Sequence, residues 1–401
     1  MPSSKSRMVF PNLLLAATCF LVLPVQAAQK LEVKTLVNEV NTELYSPVFI
    51  PGSAKVAFVK KKHEPDFHEA EAYSESELQA FRGKSETDPR WSDPEVTLLP
   101  GDGTASIKVD YGWNPEASTK GDQLYYVHQK KPISGKRVLA ETQAGNEIFA
   151  YDIATNKSRE VAAPESGYLD LPTAHPTDDM IAYAICDATN GAYGGNVGIG
   201  IYDATKDTRR TALAPARHFE LYDLVGSPIW VGSNLVVARR TPLGKGVWLA
   251  DSYKFDVLNL AGEAPKVIYD RKEPVDLVKN QVHIEYLAGK LAVSDDAKSV
   301  EIAPDDGKVL KETTLFSDTE LKPLGSPDGS HEFSMNGKKI VVKNRQSGET
   351  LTALVTGELV TAVWSPDSRR LLMVMTINKK KNGEKVFDRD RLLQVDLPES
   401  F

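Results

Sequence analysis

Val360-Thr361-Ala362-Val363-Trp364-Ser365-Pro366-Asp367-Ser368-Arg369-Arg370-Leu371-Leu372-Met373-Val374-Met375 decides how the rest of the chain is read. Two runs of β-branched and apolar residues flank four turn formers. Proline presets φ at the second position of a type I turn, and Asp followed by Ser or Gly completes it. The stretch therefore predicts a β-hairpin. Ser326-Pro327-Asp328-Gly329 repeats the device between Leu321–Leu324 and His331–Met335. Looser copies are Ile50-Pro51-Gly52-Ser53 before Val56–Phe58, His175-Pro176-Thr177-Asp178 before Ile181–Tyr183, and Val231-Gly232-Ser233-Asn234 before Leu235–Val237. Helical periodicity is almost absent, which argues an all-β protein.

A second kind of hairpin follows each of these. Ile148–Asp152 turns at Ala154–Lys157 into Arg159–Val161, and Val300–Ile302 turns at Asp305-Asp306-Gly307 into Val309-Leu310. Paired hairpins make a four-stranded unit, A-B-C-D. Seven such units begin near Ser46, Tyr111, Leu169, Leu221, Val282, Leu321 and Thr361. A period of roughly 40–65 residues is the signature of a β-propeller, whose sheets cover their apolar faces by packing on neighbours. Seven blades are expected, with six or eight as open alternatives. The last unit stops one strand short at Leu392–Val395, while Leu31–Val37 is an orphan alternating strand. Pairing the two closes the ring, leaving few exposed sheet edges.

The run Trp364-Ser365-Pro366-Asp367-Ser368-Arg369-Arg370-Leu371 resembles the repeat of TolB-type propellers, in which an aromatic residue, Ser-Pro-Asp-Gly and a basic, apolar run recur. Ser326–Gly329 is the second good match. The resemblance implies a propeller in an exported, periplasmic setting, but the chain has no room for the extra N-terminal α/β domain of TolB. Ser326, Pro327, Asp328, Ser365, Pro366 and Asp367 are assigned as structural turn formers.

Before the repeats comes a targeting pattern. Lys5 and Arg7 precede the apolar run Leu13–Leu23, and Val25-Gln26-Ala27 offers small residues for cleavage. This reads as a signal peptide over residues 1–27, too short in its apolar part for a span of ~20 residues. Residues 28–401 are then a single propeller domain with a long insertion near 60–94, periplasmic or secreted. Of the two cysteines only Cys186 survives cleavage, so the core and not a disulfide holds the fold. Cys186 follows an apolar strand and reads as inert packing. With 41% hydrophobic and 26% charged residues of mixed sign, 401 residues are ample for a core, and the net charge of −7 argues against a nucleic-acid binder.

In an A-B-C-D unit the B–C and D–A loops share one face. The long B–C loops, about 60–94, 128–145, 186–196 and 239–252, make that face the expected binding surface. Candidate binding residues are His63, His68 and Trp91 in the first loop, Tyr193 in the third, and Arg240 and Trp248 in the fourth. His63 and His68 match no strong zinc pattern, so no metal or cofactor is assigned and the loop reads as a solvated, partly helical lid. No Gly-x-Ser-x-Gly elbow is present, so the hydrolase domain carried by prolyl-oligopeptidase-type peptidases is not expected. The expected function is a non-enzymatic scaffold for a protein, peptide or envelope polymer, with no nucleic acid and no stable membrane insertion. The alternative is a metal-assisted lyase or hydrolase acting on an anionic polysaccharide through His63 or His68 and a basic rim.

Overall fold

A computed structural model describes residues 31–401 except 89, 102–103, 133–143, 188–195, 217–225, 244–251, 261–264, 276–282, 288, 295–297 and 315–322. The expected signal peptide lies outside the described residues. All sheets are antiparallel, and all but the last meander in chain order. One is seven-stranded: β2 (Thr42–Phe49), β3 (Val56–Lys62), β4 (Glu95–Leu99), β5 (Ile107–Ala117), β6 (Gln123–His128), β7 (Glu147–Asp152) and β8 (Lys157–Ala162). Four-stranded sheets follow. The next holds β9 (Tyr168–Ala174), β10 (Met180–Cys186), β11 (Val197–Asp203) and β12 (Thr208–Ala216). Then come β13 (Ile229–Val231), β14 (Asn234–Leu243), β15 (Ser252–Asn259) and β16 (Lys266–Val275). After these are β17 (His283–Leu287), β18 (Lys290–Ser294), β19 (Lys298–Ile302) and β20 (Val309–Thr314), then β21 (Leu324–Gly325), β22 (His331–Asn336), β23 (Lys339–Asn344) and β24 (Thr350–Leu354). The last sheet joins β25 (Glu358–Trp364), β26 (Arg370–Lys381) and β27 (Glu384–Asp396) to β1 (Glu32–Asn38) from the other end of the chain.

The protein is an all-β propeller with four-stranded blades as its unit. One expectation changes: the first two repeat units are not separate sheets. The D strand of the first and the A strand of the second are one continuous strand, β5, whose first half pairs with β4 and whose second half pairs with β6. The handover falls at Gly112. Its N–H donates to Pro94 O at 2.9 Å on the β4 side. A Cβ there would sit 1.9 Å from Val127 O of β6, so only glycine lets the two backbones approach.

Among the described residues six hydrophobic clusters fill the seams between successive four-stranded units, one of them between the two halves of the seven-stranded sheet. Ile50, Ala57 and Leu98 pack with Leu124 and Tyr126; Tyr125 and Ile148 pack with Leu169 and Ile181. Ile199 and Ala182 meet Trp230 and Leu258, and Val236 and Val257 meet Leu291 and Val300. Phe333 and Ile340 pack with Leu371 and Leu393, joined there by Leu31 from the other end of the chain, and Leu44 and Phe58 meet Leu372 and Leu392 across the chain ends. A fully buried aliphatic side chain contributes about 1.5–3 kcal/mol, so these inter-sheet seams are the main stabilising surfaces.

The Ser-Pro-Asp turns are hydrogen-bonded devices as well as φ presets. Ser326 Oγ donates to Asp328 Oδ1 at 2.7 Å and accepts from the His331 N–H at 2.9 Å. Ser365 Oγ bonds Asp367 in the same way and accepts from the Arg370 N–H at 2.9 Å. Both serines are fully buried. Burial disfavours the Asp328 charge, yet the Ser326 and Ser330 hydrogen bonds hold its pKa well below the usual range. Consecutive turns are also joined: the Asp328 N–H donates to Ser368 Oγ at 3.2 Å.

Candidate functional site

The innermost strands share a local irregularity. Ser46, Asn114 and Leu171 all have φ near +50°, and each is followed by a proline. The ladder register shifts there, between Tyr45 and Val48, between Trp113 and Glu116, and between Asp170 and Thr173. Proline cannot donate to a ladder, so it is accommodated by a bulge that re-aims the strand. Asp170 fixes one bulge from the next sheet. Its Oδ1 accepts from Asn114 Nδ2 at 2.9 Å, Trp113 Nε1 at 3.1 Å and its neighbour Leu171 N at 2.7 Å. Burial nonetheless raises the Asp170 pKa above its ordinary value.

These bulges line a cavity of about 380 Å³ bounded by Ser46, Pro47, Asn114, Pro115, Pro172 and Ser227, with Glu116, Trp364 and Pro366 among the other walls. The wall residues come from β2, β5, β9 and β25 and from the approach to β13, so the cavity lies where the inner strands converge. It sits towards the A–B turns, as Pro366 in the Ser-Pro-Asp turn marks. The expected binding face, with the long B–C loops, is at the opposite end.

Among the described wall residues Glu116 is the one ionisable side chain. It is half-buried on β5. Burial pushes its carboxyl up to about 7, against a hydrogen bond from the Ala174 backbone that favours the charged form. A carboxyl poised near neutrality in a partly open recess can hold a proton or a cation, and such groups concentrate at functional sites. The sequence reading passed over Glu116. The signal was present as a recurring x-Pro dipeptide ahead of the A–B turn: Ser46-Pro47, Asn114-Pro115, Leu171-Pro172 and Ser227-Pro228.

The expected first-loop residues are occupied in packing the insertion. It folds into α1 (Phe67–Ala70) and α2 (Glu75–Thr87), capped by Asp66 and by a Ser74–Glu77 capping box. His63 bridges two carboxylates, Nδ1 to Glu43 Oε1 and Nε2 to Glu69 Oε2, both at 2.6 Å, and lies against Phe387 at 4.2 Å between ring centroids. Burial works against its charge, but the two carboxylates outweigh it and raise its pKa. Trp91 packs near Phe81, with Lys84 Nζ 5.4 Å from its ring. His68 is exposed, and its backbone N–H is held by Asp66 Oδ1 at 2.9 Å. The whole insertion is fastened to the β26–β27 hairpin: Lys381 Nζ to Glu77 Oε1 at 2.5 Å, Asn382 Nδ2 to Ala72 O at 2.9 Å and the Phe387 N–H to Glu69 Oε1 at 2.6 Å. The loop is thus anchored to its neighbour at several points and is not a free lid.

Tyr193 and Trp248 lie outside the described residues. Arg240 is in β14 opposite Phe255, and its side chain is also outside them. Among the described residues no group of three His, Cys, Asp or Glu side chains has the arrangement to hold a metal ion. His175 and His331 serve turns: His175 Nδ1 accepts from the Asp178 N–H at 3.0 Å, and His331 Nδ1 contacts Ser330 Oγ at 2.7 Å. No helix among the described residues is long and apolar enough to cross a membrane.

The sequence matches no family model, and no curated protein is similar to it in sequence. The structure is similar to oligogalacturonate lyase from Vibrio parahaemolyticus, with a TM-score of 0.51 at 11% identity over 93% of this chain and 100% of that one. It is also similar to the β-propeller domain of the Trilobed protease from Pyrococcus furiosus, with a TM-score of 0.50 at 11% identity over 86% of this chain and 95% of that one. Pyrococcus horikoshii acylaminoacyl peptidase gives a TM-score of 0.51 at 10% identity, with 86% of this chain matching 52% of that one. At such identities the likeness is one of fold, and the fold is a β-propeller.

Proposed function

We propose that this chain is an exported binding propeller that takes a group of its ligand or partner into the mouth of the central cavity at the A–B turn end. The observation that carries this reading is the cavity itself: about 380 Å³, walled by inner strands of several sheets and holding one carboxyl, Glu116. Polar groups converging on a recess beside apolar walls are a usual form of a binding site. The ring is read as seven-bladed, because β5 serves two sheets in turn and the seven-stranded sheet counts as two blades. The TolB-type repeat and the N-terminal targeting pattern support a periplasmic setting. The B–C loop face, with His68 and Trp91, is a proposed second contact surface.

A lyase or hydrolase acting on an anionic polysaccharide is the second reading, and the fold likeness to an oligogalacturonate lyase favours it. The cavity favours it less, since Glu116 in its ionised form repels a uronate carboxylate at close range. The deciding experiment compares the mature protein with Ser227→Trp, which fills the mouth from an exposed position, and with a variant lacking residues 62–92. Each is used to capture partners from envelope extract and is assayed for depolymerisation of polygalacturonate. A specific partner lost only in Ser227→Trp supports the binding reading. Turnover of the polymer by the wild type overturns it in favour of the lyase.

A further inference from the structure

The cavity has a chemical bias that identifies what it takes, given the reading that it is a binding site. Its walls are poor in hydrogen-bond donors. Pro47, Pro115, Pro172 and Pro366 have no backbone N–H to offer. Trp364 Nε1 is committed to Leu324 O at 3.1 Å, and one N–H of Asn114 Nδ2 to Asp170 Oδ1 at 2.9 Å. Glu116 is acceptor-only when ionised, and Ser46 and Ser227 can donate or accept. An anion entering here would lose its hydration for few donors and would meet the ionised Glu116 at close range. A cation would find a carboxylate, hydroxyl oxygens and the indole of Trp364.

We infer that the cavity is a subsite for a small organic cation, an alkylammonium group presented either by a free amine or by a lysine side chain of a peptide, with Glu116 as its counter-ion. The apolar walls, half-exposed Val48 and Val363 with buried Phe49 behind, suit the methylene stem behind the charge. A raised carboxyl pKa fits an acid waiting for its partner, because an ammonium ion bound beside it favours the charged form. Asp170, bonded to the wall residue Asn114, is spent on Trp113, Asn114 and Leu171 and does not compete.

Ligand-observed NMR titrations of the mature protein at pH 8 test this with four probes: n-butylammonium, N-acetyl-lysine methylamide, n-butyramide and butyrate. The expected result is binding of the ammonium probes alone, weakened at least about tenfold in Glu116→Gln and abolished in Ser227→Trp. The two ammonium probes distinguish a free amine from a lysine side chain. Circular dichroism of Glu116→Gln checks that the fold is intact. Butyramide or butyrate binding as well as the cations, insensitive to Glu116→Gln but lost in Ser227→Trp, overturns the cation assignment and leaves the cavity as a binding site. Cation binding unchanged in both variants assigns it to surface carboxylates and overturns the inference. Failure of every probe to bind wild type overturns both.

Discussion

The Leu44 backbone N–H donates to Asp390 Oδ2 at 2.8 Å, a bond between residues 346 positions apart. The other oxygen of the same carboxylate accepts from Thr376 Oγ1 at 2.6 Å. One buried side chain therefore ties β2 of the first sheet to β26 and β27 of the last. Burial raises its pKa in spite of the two bonds. Asp390→Ala strands the Leu44 N–H at a closed seam and is expected to destabilise by about 1–3 kcal/mol. Asp390→Asn keeps an acceptor and should lose less. Urea unfolding of both variants checks the order, and equal losses would sink the bridging role.

Strand β1 pairs with β27 from Glu32 opposite Asp396 to Asn38 opposite Arg391, and Leu31 and Val37 are buried against the last sheet and its neighbour. Removing residues 28–40 uncovers an edge and both seams. The expected outcome is loss of the single cooperative unfolding transition. A truncated protein that melts as sharply as the full one would show that the strand is dispensable.

His63 should make stability pH-dependent. Its folded pKa lies above the unfolded value, because the Glu43 and Glu69 carboxylates overcome the effect of burial. The stabilisation is complete below the unfolded value near 6.5 and is lost as pH rises through the raised folded value. His63→Gln is therefore expected to lower the midpoint of thermal unfolding clearly at pH 6 and much less at pH 9. A pH-independent loss would mean that ring packing on Phe387 is the larger contribution.

Glu116 gives a slope of the same sign from a different cause, burial and not a charged partner. Its pKa moves from 4.5 up to about 7 on folding, so between those values the folded chain binds more protons than the unfolded one. Stability falls as pH rises across that window. Glu116→Gln removes the slope: the variant should match wild type near pH 4 and exceed it at pH 8 by on the order of 1 kcal/mol, after allowing for water reaching the carboxyl through the cavity. Thermal melts at both pH values decide it.

Cys186 is buried, and desolvation pushes its thiol up to about 12 despite a hydrogen bond with Tyr168. Thiolate is the reactive form, so the native mature protein should not react with an aromatic disulfide reagent at pH 8. Reaction should appear at the rate of unfolding in denaturant. Immediate labelling of native protein would contradict the packing at β10.

Much of the architecture was legible because turn chemistry is local. Ser365-Pro366-Asp367-Ser368 announces its hairpin whatever surrounds it, and Leu31–Val37 announces a strand by alternation. The fusion at β5 was not legible: Tyr111-Gly112-Trp113 reads as a boundary, and only the approach of Val127 O to Gly112 shows why the strand runs through. The candidate site was legible only in its raw material. His63 attracted attention as a chemically versatile residue in a long loop, yet its partners Glu43 and Glu69 hold it in a structural bridge.

The sequence by itself determined the β class, the repeat period, the Ser-Pro-Asp turns and the orphan strand at one end with the gap at the other, because all of these follow from neighbours along the chain. Tertiary structure decided what faces what. Glu116 is an ordinary acid in the run Asn114-Pro115-Glu116-Ala117, and becomes a carboxyl poised near 7 because the ring places β5 and its bulge at a cavity walled by distant strands. Desolvation depends on atoms contributed from the whole ring, and no reading along one strand contains them.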